Sequence, residues 1–372
     1  MKPPGLRVGL VGPLPPPSGG MANQTLQLAR LLQEEGVDVD LIQVNKSYSP
    51  RWIRKVKGIR AVFRLLPYLI NLVRSTRRVD VFHVMANSGW SWHLFAAPAI
   101  WIASLSGKPV IVNYRGGEAE SFFEQAFPWV RLSLNRVDTI VVPSGFLDAV
   151  FKKRGFATCI VPNIIDISRF SPRPDKLGGL DKNQPAILVA RNLEPIYDNA
   201  TALRAFRIVR DAIPGAALTI AGSGPEHDFL EKLATELGID DSVTFTGRVE
   251  NHDMARLYRD ADVMINPSLV DNMPNSVLEA LASGAVVVST NVGGVPYLVE
   301  HDSTALLVPP KNPEAMAKAI LDAINDPAKA RRLKANGIES VQQYTWPRVR
   351  ARLFTVYQNA LAAKANTVAE YK

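Results

Sequence analysis

The sequence predicts an α/β protein built from two parallel-sheet domains in series. The chain has 372 residues, whereas single hydrophobic cores stop growing at about 250–300 residues, so a division into domains is expected. Short uncharged runs of strand character alternate with helical patterns along most of the length, and this alternation breaks once near the middle. Hydrophobic residues make up 47% and charged residues 21% of the chain, which is ordinary for a folded globular protein.

The first half of the chain predicts strands that are separated by helices. A helix with one apolar face is predicted over Gln24–Glu35, between the first two strands. Strands that alternate with helices form βαβ units and a parallel sheet, whose strands are buried on both faces. The predicted strands of this half are Arg7–Val11, Val37–Val44, Val79–Met85, Pro109–Asn113 and Thr139–Val142.

A linker is predicted where the alternation breaks, over residues 161–181. Three prolines and two glycines lie in this segment, and such residues end helices and strands. The alternation then resumes, so each half is predicted to be a Rossmann-like domain. The predicted elements of the second half are the strands Ala186–Ala190, Ala217–Ala221, Val243–Thr246, Val263–Asn266 and Val286–Ser289 and the helices Ala200–Asp211, Asp228–Leu237, His252–Ala261, Ser276–Ala282 and Glu314–Ile324.

Two loops that contain glycine pairs follow predicted strands, where open parallel sheets bind ligands. The first, residues 13–20, ends in Gly19 and Gly20 before a helix, where a backbone can approach an anion closely; a plain strand-to-helix turn is the alternative. The second contains Gly222 and Gly224 but lacks the third glycine of a dinucleotide fingerprint. Since no P-loop sequence occurs either, a dehydrogenase and a P-loop nucleotidase are weakly supported. With two domains, the cleft between them is the expected ligand site.

The most informative segment runs from Asp271 to Glu279. It places two carboxylates eight positions apart, the first in a loop after a strand and the second about one turn into a helix. The amides at the start of that helix favour an anion such as a diphosphate. The alternative is purely structural: Asn275 caps the helix and Glu279 complements the helix dipole. That alternative leaves Asp271 unexplained.

Cysteine and histidine usage argues against a disulfide framework and against a structural zinc site. The single cysteine is Cys159, and the five histidines form no pair at metal-ligand spacing. No basic-then-apolar signal segment precedes the first strand, so a cytoplasmic location is expected. The uncharged stretch 81–107 is interrupted by polar residues and by Pro98, and we interpret it as a strand, a loop and a helix rather than a membrane span.

Positive charge is concentrated in the first half of the chain. Residues 1–166 carry a net charge of +9 and residues 167–372 carry −1. Residues 51–78 contain nine Lys or Arg and no acidic residue, and their apolar residues recur at steps of three and four around Pro67. This segment predicts an amphipathic helix that docks on an anionic membrane at its cytoplasmic face; a helix packed on the sheet with a solvated basic face is the alternative. Nucleic acid is not expected as a partner, because no basic motif with interleaved aromatic residues occurs.

The order of motifs along nearly the whole chain resembles the retaining glycosyltransferases of family GT4, which have the GT-B fold and an E-x7-E motif. The resemblance implies two Rossmann-like domains, 1–166 and 167–345, whose parallel sheets face each other across a cleft. It also implies that the helix from Trp346 onward crosses back to the first domain. The motifs that carry the resemblance are Gly19-Gly20, Val161–Asp166 with Phe170, Ala221–Pro225, Phe245–Val249, Tyr258, Ala261–Val263, Pro267-Ser268, Asp271–Gly284 and Gly293-Gly294.

The resemblance also implies a role for each candidate residue. Glu279 is expected to accept hydrogen bonds from the ribose of a nucleotide, and Asp271 from hydroxyls of the donor sugar. Arg191 and the amides at the start of the helix are expected to hold the diphosphate, and the backbone of Arg248 and Val249 is expected to face the base. The predicted nucleotide-binding residues are Gly19, Gly20, Gly222, Gly224, Arg248, Val249, Asn272, Met273, Asn275, Ser276 and Glu279.

Four positions depart from the family pattern. The first carboxylate of the motif is Asp271 rather than glutamate, which shortens its reach by one methylene. The phosphate-binding lysine after the arginine is missing, with Ile196 and Tyr197 at the nearest positions. Arg115 stands where the family has the histidine of a His-Gly pair, and it joins Asp271 and Arg191 as a candidate catalytic residue because it would supply the missing charge; a solvated loop arginine is the alternative. Ile164 replaces a glycine.

The predicted function is retaining transfer of a sugar from a UDP- or GDP-sugar to a glycan or lipid-linked acceptor, in cell-surface polysaccharide synthesis. No bound cofactor and no metal are expected. Two alternatives stay open. The first is a catalytically silent subunit that binds a nucleotide-sugar, which the missing lysine and histidine suggest. The second is a sugar-nucleotide epimerase of the same architecture.

Overall fold

The structure, a computed structural model, describes residues 5–16, 19–46 and 59–370 and divides into two compact units. Unit 1 consists of residues 1–163 and 346–372, and unit 2 consists of residues 164–345. Each unit contains a six-stranded sheet, and helices connect its strands. The α/β class that the sequence predicts is therefore confirmed.

Unit 1 contains a sheet in which all neighbouring strands are parallel. Its strands are β1 (Arg7–Gly12), β2 (Asp38–Gln43), β3 (Val81–Ala86), β4 (Val110–Tyr114), β5 (Thr139–Val142) and β6 (Cys159–Ile160). The strand order is β2-β1-β3-β4-β5-β6, so the winding of the chain reverses between β1 and β3. β3 and β4 are buried along their whole length, as expected for parallel strands that are covered on both faces.

The helices of unit 1 pack their apolar faces on this sheet. Their core contains the fully buried rings of Trp92, Tyr114 and Phe123. A π-helical turn, Trp92–Ala96, precedes the third helix. The helices are α1 (Gly20–Glu34), α2 (Ile59–Ser75), α3 (Ala97–Leu105), α4 (Ala119–Leu134), α5 (Gly145–Lys152) and, from the C-terminal segment, α12 (Trp346–Glu370).

Unit 2 repeats this architecture with a second parallel sheet. Its strands, β7 to β12, run in the order β12-β11-β10-β7-β8-β9, so the winding reverses between β7 and β10. Separate apolar clusters cover the two faces of the sheet. The elements of unit 2 are β7 (Ala186–Ala190), α6 (Asn199–Ala212), β8 (Ala217–Ala221), α7 (His227–Glu236), β9 (Val243–Gly247), α8 (Asn251–Asp260), β10 (Val263–Asn266), α9 (Asn275–Ala282), β11 (Val286–Thr290), β12 (Leu306–Val308), α10 (Pro313–Asn325) and α11 (Pro327–Ser340).

The predicted elements differ from the observed ones mainly at their ends. α1 begins at Gly20 rather than Gln24, because the chain turns into the helix directly after the extended residue Gly19. Strands β6 and β12 were not predicted, since runs of two and three residues give no periodic signal. The stretch 81–107 forms a strand, a loop and helices as predicted. Among the residues that the structure describes, no helix is long and apolar enough to cross a membrane.

The amphipathic helix predicted over residues 51–78 is α2, with Pro67 inside it. The basic residues Arg51, Arg54, Lys55 and Lys57 lie outside the described residues. Within α2, Tyr68 and Leu72 are buried against the core. The apolar residues at steps of three and four around Pro67 include Phe63, Leu66, Ile70 and Val73. They face away from that core, since they are 44–56% exposed. Both faces of α2 therefore carry large apolar side chains.

Candidate active site

In unit 2, the candidate residues gather where the strand order of the sheet reverses. Arg191 follows β7 directly, and Asn266 is the last residue of the neighbouring strand β10. Nε of Arg191 donates a hydrogen bond to Oδ1 of Asn266 over 2.8 Å. Ligands bind at such reversal points in open α/β sheets, because the loops on either side diverge and leave a crevice.

Arg191 also forms an ion pair with Asp271. Its Nη2 donates to the Asp271 carboxylate, and the two side chains are only 11% and 12% exposed. The guanidinium carbon lies 5.2 Å from the centre of the Tyr197 ring. Tyr197 is one of the two residues that stand nearest to the position of the missing lysine. The loop carboxylate that the sequence left without a structural partner is therefore paired, and an aromatic ring lies beside the arginine.

A buried network fixes the position of Arg191. Nδ2 of Asn266 donates to Oγ of Ser289 over 2.9 Å, and Oγ of Ser268 donates to Oδ1 of Asn266 over 2.8 Å. These two bonds orient the amide so that its oxygen faces the arginine. Asn266 and Ser289 were not predicted as part of the site, because their role depends on β10 and β11 lying side by side, which the sequence alone does not reveal.

Glycine backbones hold the loops on either side of Arg191. A Cβ atom on Gly222 would lie 1.9 Å from the carbonyl oxygen of Arg191, and one on Gly224 would lie 2.2 Å from that of Leu193. A Cβ atom on Gly294 would lie 1.8 Å from the carbonyl oxygen of Asn272. Loop packing thus already requires glycine at Gly222 and Gly224, and their predicted contact with a nucleotide stays a prediction.

The N-terminus of α9 lies directly after the Asp271 loop and has no side-chain cap. Pro274 is the residue before the helix, so the structural alternative, in which Asn275 caps it, is wrong: Asn275 is already its first helical residue. The hydroxyl of Ser276 is buried and has no hydrogen-bond partner among the described residues. A buried hydroxyl without a partner costs about 1–3 kcal/mol, so a ligand that accepts this hydrogen bond would gain affinity.

Glu279 is half-buried one turn into α9 and is hydrogen-bonded to the phenol of Tyr258. Burial raises the pKa of Glu279 to about 7, although Tyr258, Arg191 and Arg169 act in the opposite direction. The Tyr258 ring is buried and packs edge-on against Phe170, with ring centres 5.8 Å apart. Tyr258 therefore fixes the position of the Glu279 side chain. Because the pKa of Glu279 is about 7, its protonated and ionised forms are both populated near neutral pH.

Four further predicted nucleotide contacts lie in loops of unit 2. Met273 is buried in the apolar cluster beneath the loop, and Asn272 is 5% exposed. Val249 packs against the same cluster, and the side chain of Arg248 lies 4.0 Å from Glu250 at the surface. Only backbone atoms of the buried residues could reach a base or a phosphate, so these assignments stay predictions.

In unit 1, Gly19 and Gly20 lie at the start of α1. Gly19 has extended backbone with φ −170°, and a Cβ atom on either glycine would have no atom of another described residue within 4 Å. Neither the conformation of Gly19 nor local packing requires glycine here. The predicted contact of this pair with a ligand at the helix N-terminus stays a prediction.

Arg115 follows β4 and is held by three side-chain amides. Its Nε donates to Oδ1 of Asn113 over 2.8 Å, and its Nη1 donates to Oε1 of Gln24 over 2.7 Å and to Oδ1 of Asn163. Burial lowers the pKa of Arg115 to about 10. The structure therefore excludes the solvated loop arginine that the sequence left open.

A buried hydrogen-bonded chain continues from Arg115 to the C-terminal helix. Nδ2 of Asn113 lies 3.0 Å from Nε2 of His83, whose Nδ1 lies 2.8 Å from the hydroxyl of Tyr357 on α12. Because Oδ1 of Asn113 accepts from Arg115, its Nδ2 donates to His83, which leaves Nδ1–H to donate to Tyr357. Burial and the charge of Arg115 lower the pKa of His83 to about 3, so this histidine is neutral.

Unit 1 also contains a cavity of about 190 Å³. Its walls come from β1, α1, α2 and the π-helical turn, and apolar side chains such as Val11, Met21 and Phe95 dominate them. Arg64 and Asn45 are among the polar residues that line it.

Two family models match most of the chain. Residues 18–169 match Glycosyltransferase Family 4, and residues 174–340 match the glycosyl transferases group 1. The chain belongs to this glycosyltransferase family. The resemblance to glycosyltransferases of family GT4 that the motifs suggested is therefore confirmed.

Curated relatives of this glycosyltransferase are similar over part or all of its length. It is 32% identical over 206 residues to a GDP-mannose-dependent alpha-(1-6)-phosphatidylinositol monomannoside mannosyltransferase of Mycobacterium tuberculosis, which covers 52% of this chain and 54% of the relative. The match therefore spans about half the length of that relative. A phosphatidyl-myo-inositol mannosyltransferase of Mycolicibacterium smegmatis is 24% identical, over 96% of this chain and 95% of its own.

Solved structures establish the fold. Sucrose-phosphate synthase from Thermosynechococcus elongatus superposes with a TM-score of 0.77 at 21% identity, over 96% of this chain and 100% of its own. The Anabaena protein HepE, in complex with UDP, gives a TM-score of 0.73 at 16% identity, over 95% and 100%. The glycosyltransferase has the GT-B fold that the resemblance implied.

Proposed function

We propose that this protein transfers a sugar from a nucleoside diphosphate-sugar to a glycan or lipid-linked acceptor, with retention of the anomeric configuration. One observation carries the proposal. At the reversal point of the unit 2 sheet, Arg191, Asp271 and the N-terminus of α9 with its buried Ser276 hydroxyl lie together, one turn from Glu279. The named activities of the mannosyltransferase relatives support sugar transfer, and the UDP complex of HepE supports a nucleotide donor.

The leaving group of such a reaction is a diphosphate, which gains negative charge as the glycosidic bond breaks. Arg191 supplies a fixed positive charge, and the first amides of α9 supply the positive end of a helix dipole. The Ser276 hydroxyl supplies a donor that has no partner among the described residues. Donors that are already in place before the reaction stabilise the developing charge without reorganisation, so they lower the barrier.

The two carboxylates suit hydroxyl groups rather than phosphates. Asp271 holds Arg191 and retains lone pairs that can accept from hydroxyls of the donor sugar. Glu279 is fixed by Tyr258 and can accept from the two ribose hydroxyls. We infer that the donor is a UDP- or GDP-sugar, and that the departing phosphate takes the proton of the acceptor without help from a metal ion.

A turnover assay tests this proposal. The protein is incubated with UDP- and GDP-sugars and a membrane lipid extract, and release of the free nucleoside diphosphate is measured with and without EDTA. We expect acceptor-dependent release from one donor that persists in EDTA, and a loss of at least tenfold in Arg191→Ala, since a charge-assisted bond contributes about 1.5–3 kcal/mol. Binding without turnover would favour the silent subunit, and conversion of the donor with no acceptor would favour an epimerase.

The surface of α2 supports an acceptor that lies at a membrane. Its exposed residues Phe63, Leu66, Ile70 and Val73 follow helical spacing and form an apolar stripe. Arg74 lies beside this stripe, and two further arginines follow the helix. We infer that this face inserts among anionic lipids at the cytoplasmic surface, where each cation near the membrane contributes about 1 kcal/mol. The free Cys159 is consistent with a reducing compartment.

Flotation with liposomes tests the membrane assignment. We expect the protein to float with vesicles that contain anionic lipid at low salt, and to float less at high salt. Leu66→Asp should abolish flotation because it places a charge within the apolar stripe. Leu105→Asp is the matched control, because Leu105 is an exposed leucine of the same unit outside α2. Equal recovery of both variants, or no dependence on anionic lipid, would exclude this membrane surface.

A further inference from the structure

Arg115 is a cation that lies among neutral partners. Each of its described hydrogen bonds goes to an amide oxygen, from Asn113, Gln24 or Asn163. None of the ion pairs among the described residues includes Arg115. A guanidinium has five N–H donors, and the two on Nη2 have no acceptor in the described part of the chain. Arg115 is half-buried, and a charge with reduced access to water and no counter-ion is costly, so a bound anion would stabilise this arrangement.

A second arginine of unit 1, Arg154, shows how contacts within the chain can compensate such a charge. Arg154 also donates only to neutral acceptors, the backbone oxygens of Val150 and Glu120. Its guanidinium, however, lies 5.2 Å from the ring centre of Phe123 and 5.9 Å from that of Phe127, and aromatic faces attract a cation. No ring contact of this kind accompanies Arg115 among the described residues, so its charge lacks even this compensation.

The side chains around Arg115 fix the position of its guanidinium group. Asn113 is fixed from behind by His83, which in turn contacts Tyr357 of α12. Gln24 lies on α1, close to the helix N-terminus that begins at Gly20. Amide acceptors fix the position of the guanidinium but leave its full charge available. A carboxylate would fix it equally well, but it would cancel the charge that an incoming anion needs.

We propose that Arg115, in its cage of amide side chains, is an oxyanion-binding site of unit 1 that takes a phosphate or carboxylate group of a substrate. The anionic group has two sources in a sugar transfer: the diphosphate of the donor, or an anionic group on the acceptor. This inference deepens the proposed function and rests on it for the source of the anion. Binding of an oxyanion at Arg115 requires no turnover and is tested separately.

Inorganic phosphate is the first probe, measured by thermal shift and calorimetry on the full chain at constant ionic strength. We expect phosphate to stabilise the wild type, and its affinity to fall about tenfold or more in Arg115→Gln, which removes one charge-assisted interaction. Arg115→Lys keeps the charge and should retain part of the affinity. Arg154→Gln is the matched control, because it removes a half-buried arginine of the same unit, and it should leave phosphate affinity unchanged. Equal phosphate binding by wild type and Arg115→Gln would overturn the proposal.

Nucleoside diphosphates then distinguish the two sources of the anion. If the donor supplies it, Arg115→Gln weakens nucleoside diphosphate binding, and saturating nucleotide displaces phosphate from the wild type. If the acceptor supplies it, Arg115→Gln leaves nucleotide binding unchanged, and phosphate still stabilises the nucleotide-saturated protein. Phosphate binding at Arg115 in a chain that binds no nucleotide would support this site while contradicting the proposed function.

Discussion

At the scale of single residues, the candidate donor site depends on charges that are paired or hydrogen-bonded before any ligand arrives. Arg191 is held by Asn266 and Asp271, and Glu279 is held by Tyr258. Such preorganisation matters because side chains that are already fixed lose little entropy when a ligand binds. Ser276 adds a donor to the same site, since its hydroxyl is buried there and has no hydrogen-bond partner among the described residues.

The pKa of Glu279 gives a testable dependence of stability on pH. Burial raises this pKa to about 7 from an ordinary value of 4.5, so the folded protein favours the protonated acid. The resulting stabilisation is fully present below pH 4.5 and is lost as the pH rises through 7. Glu279→Gln mimics the neutral acid, so we expect the variant to gain stability relative to the wild type between pH 5 and pH 8, by about 1–3 kcal/mol.

Urea unfolding of both proteins across this pH range measures the effect. The surface variant Glu236→Gln is the control, because Glu236 is exposed on α7 of the same unit. Parallel curves for Glu279→Gln and the wild type would show that the carboxyl group is not destabilised by burial.

At the scale of elements, the loop that carries Asp271 is positioned by the backbone that follows β11. The amide of Gly294 donates to the carbonyl oxygen of Asp271 over 2.9 Å. A Cβ atom at Gly294 would lie 1.8 Å from the carbonyl oxygen of Asn272, so a side chain there forces the two loops apart. The position of the Asp271 side chain, which is one methylene shorter than a glutamate side chain, therefore depends on Gly294, more than twenty positions away in sequence.

Gly294→Ala tests this dependence. We expect the free energy of unfolding to fall by about 1–3 kcal/mol, as for other overpacked sites, and nucleotide binding to weaken because Asp271 moves. Gly178→Ala is the matched control in unit 2, since a Cβ atom at Gly178 would have no neighbour within 4 Å among the residues that the structure describes. If Gly294→Ala is as stable as the control, close loop packing does not position Asp271.

The sequence predicted the elements better than their ends and partners. The alternation of strands and helices predicted both sheets, because it depends on local periodicity. It did not predict β6 and β12, which are too short to show a period, or the start of α1, where Gly20 lacks any helix signal. Periodicity also singled out only one apolar face of α2, and it did not reveal the second face, where Tyr68 and Leu72 meet the core.

The same limit applies to the candidate site. The spacing of Asp271 and Glu279 identified the loop and helix, because both carboxylates lie in one continuous segment. Asn266 and Tyr258 support them from other elements, and their roles depend on how the strands and helices pack. The amide cage around Arg115 was invisible for the same reason, since its members come from β4, α1 and the end of the first segment of unit 1.

At the scale of the whole molecule, the two units have the same architecture, whereas charge is distributed unevenly along the chain. Residues 1–166 carry a net charge of +9, and the remaining residues carry −1. The acidic residues of unit 2 that matter here, Asp271 and Glu279, suit the hydroxyl groups of a nucleotide-sugar. The excess of cations in the first part of the chain suits anionic groups, at Arg115 and along α2. This uneven charge agrees with our proposals that unit 2 binds the donor and that unit 1 binds an anionic group or surface.

The most direct test of this account is a thermal shift measurement with UDP, GDP, ADP and CMP on the purified chain. A ligand that binds only the folded state stabilises it by about 2.7 kcal/mol at a hundred times its dissociation constant. We predict that UDP or GDP raises the melting temperature of the wild type, and that the shift shrinks in Glu279→Ala and Asp271→Ala but not in Glu236→Ala. No shift with any nucleotide, or a shift that Glu279→Ala leaves unchanged, would contradict the assignment of the donor site to unit 2.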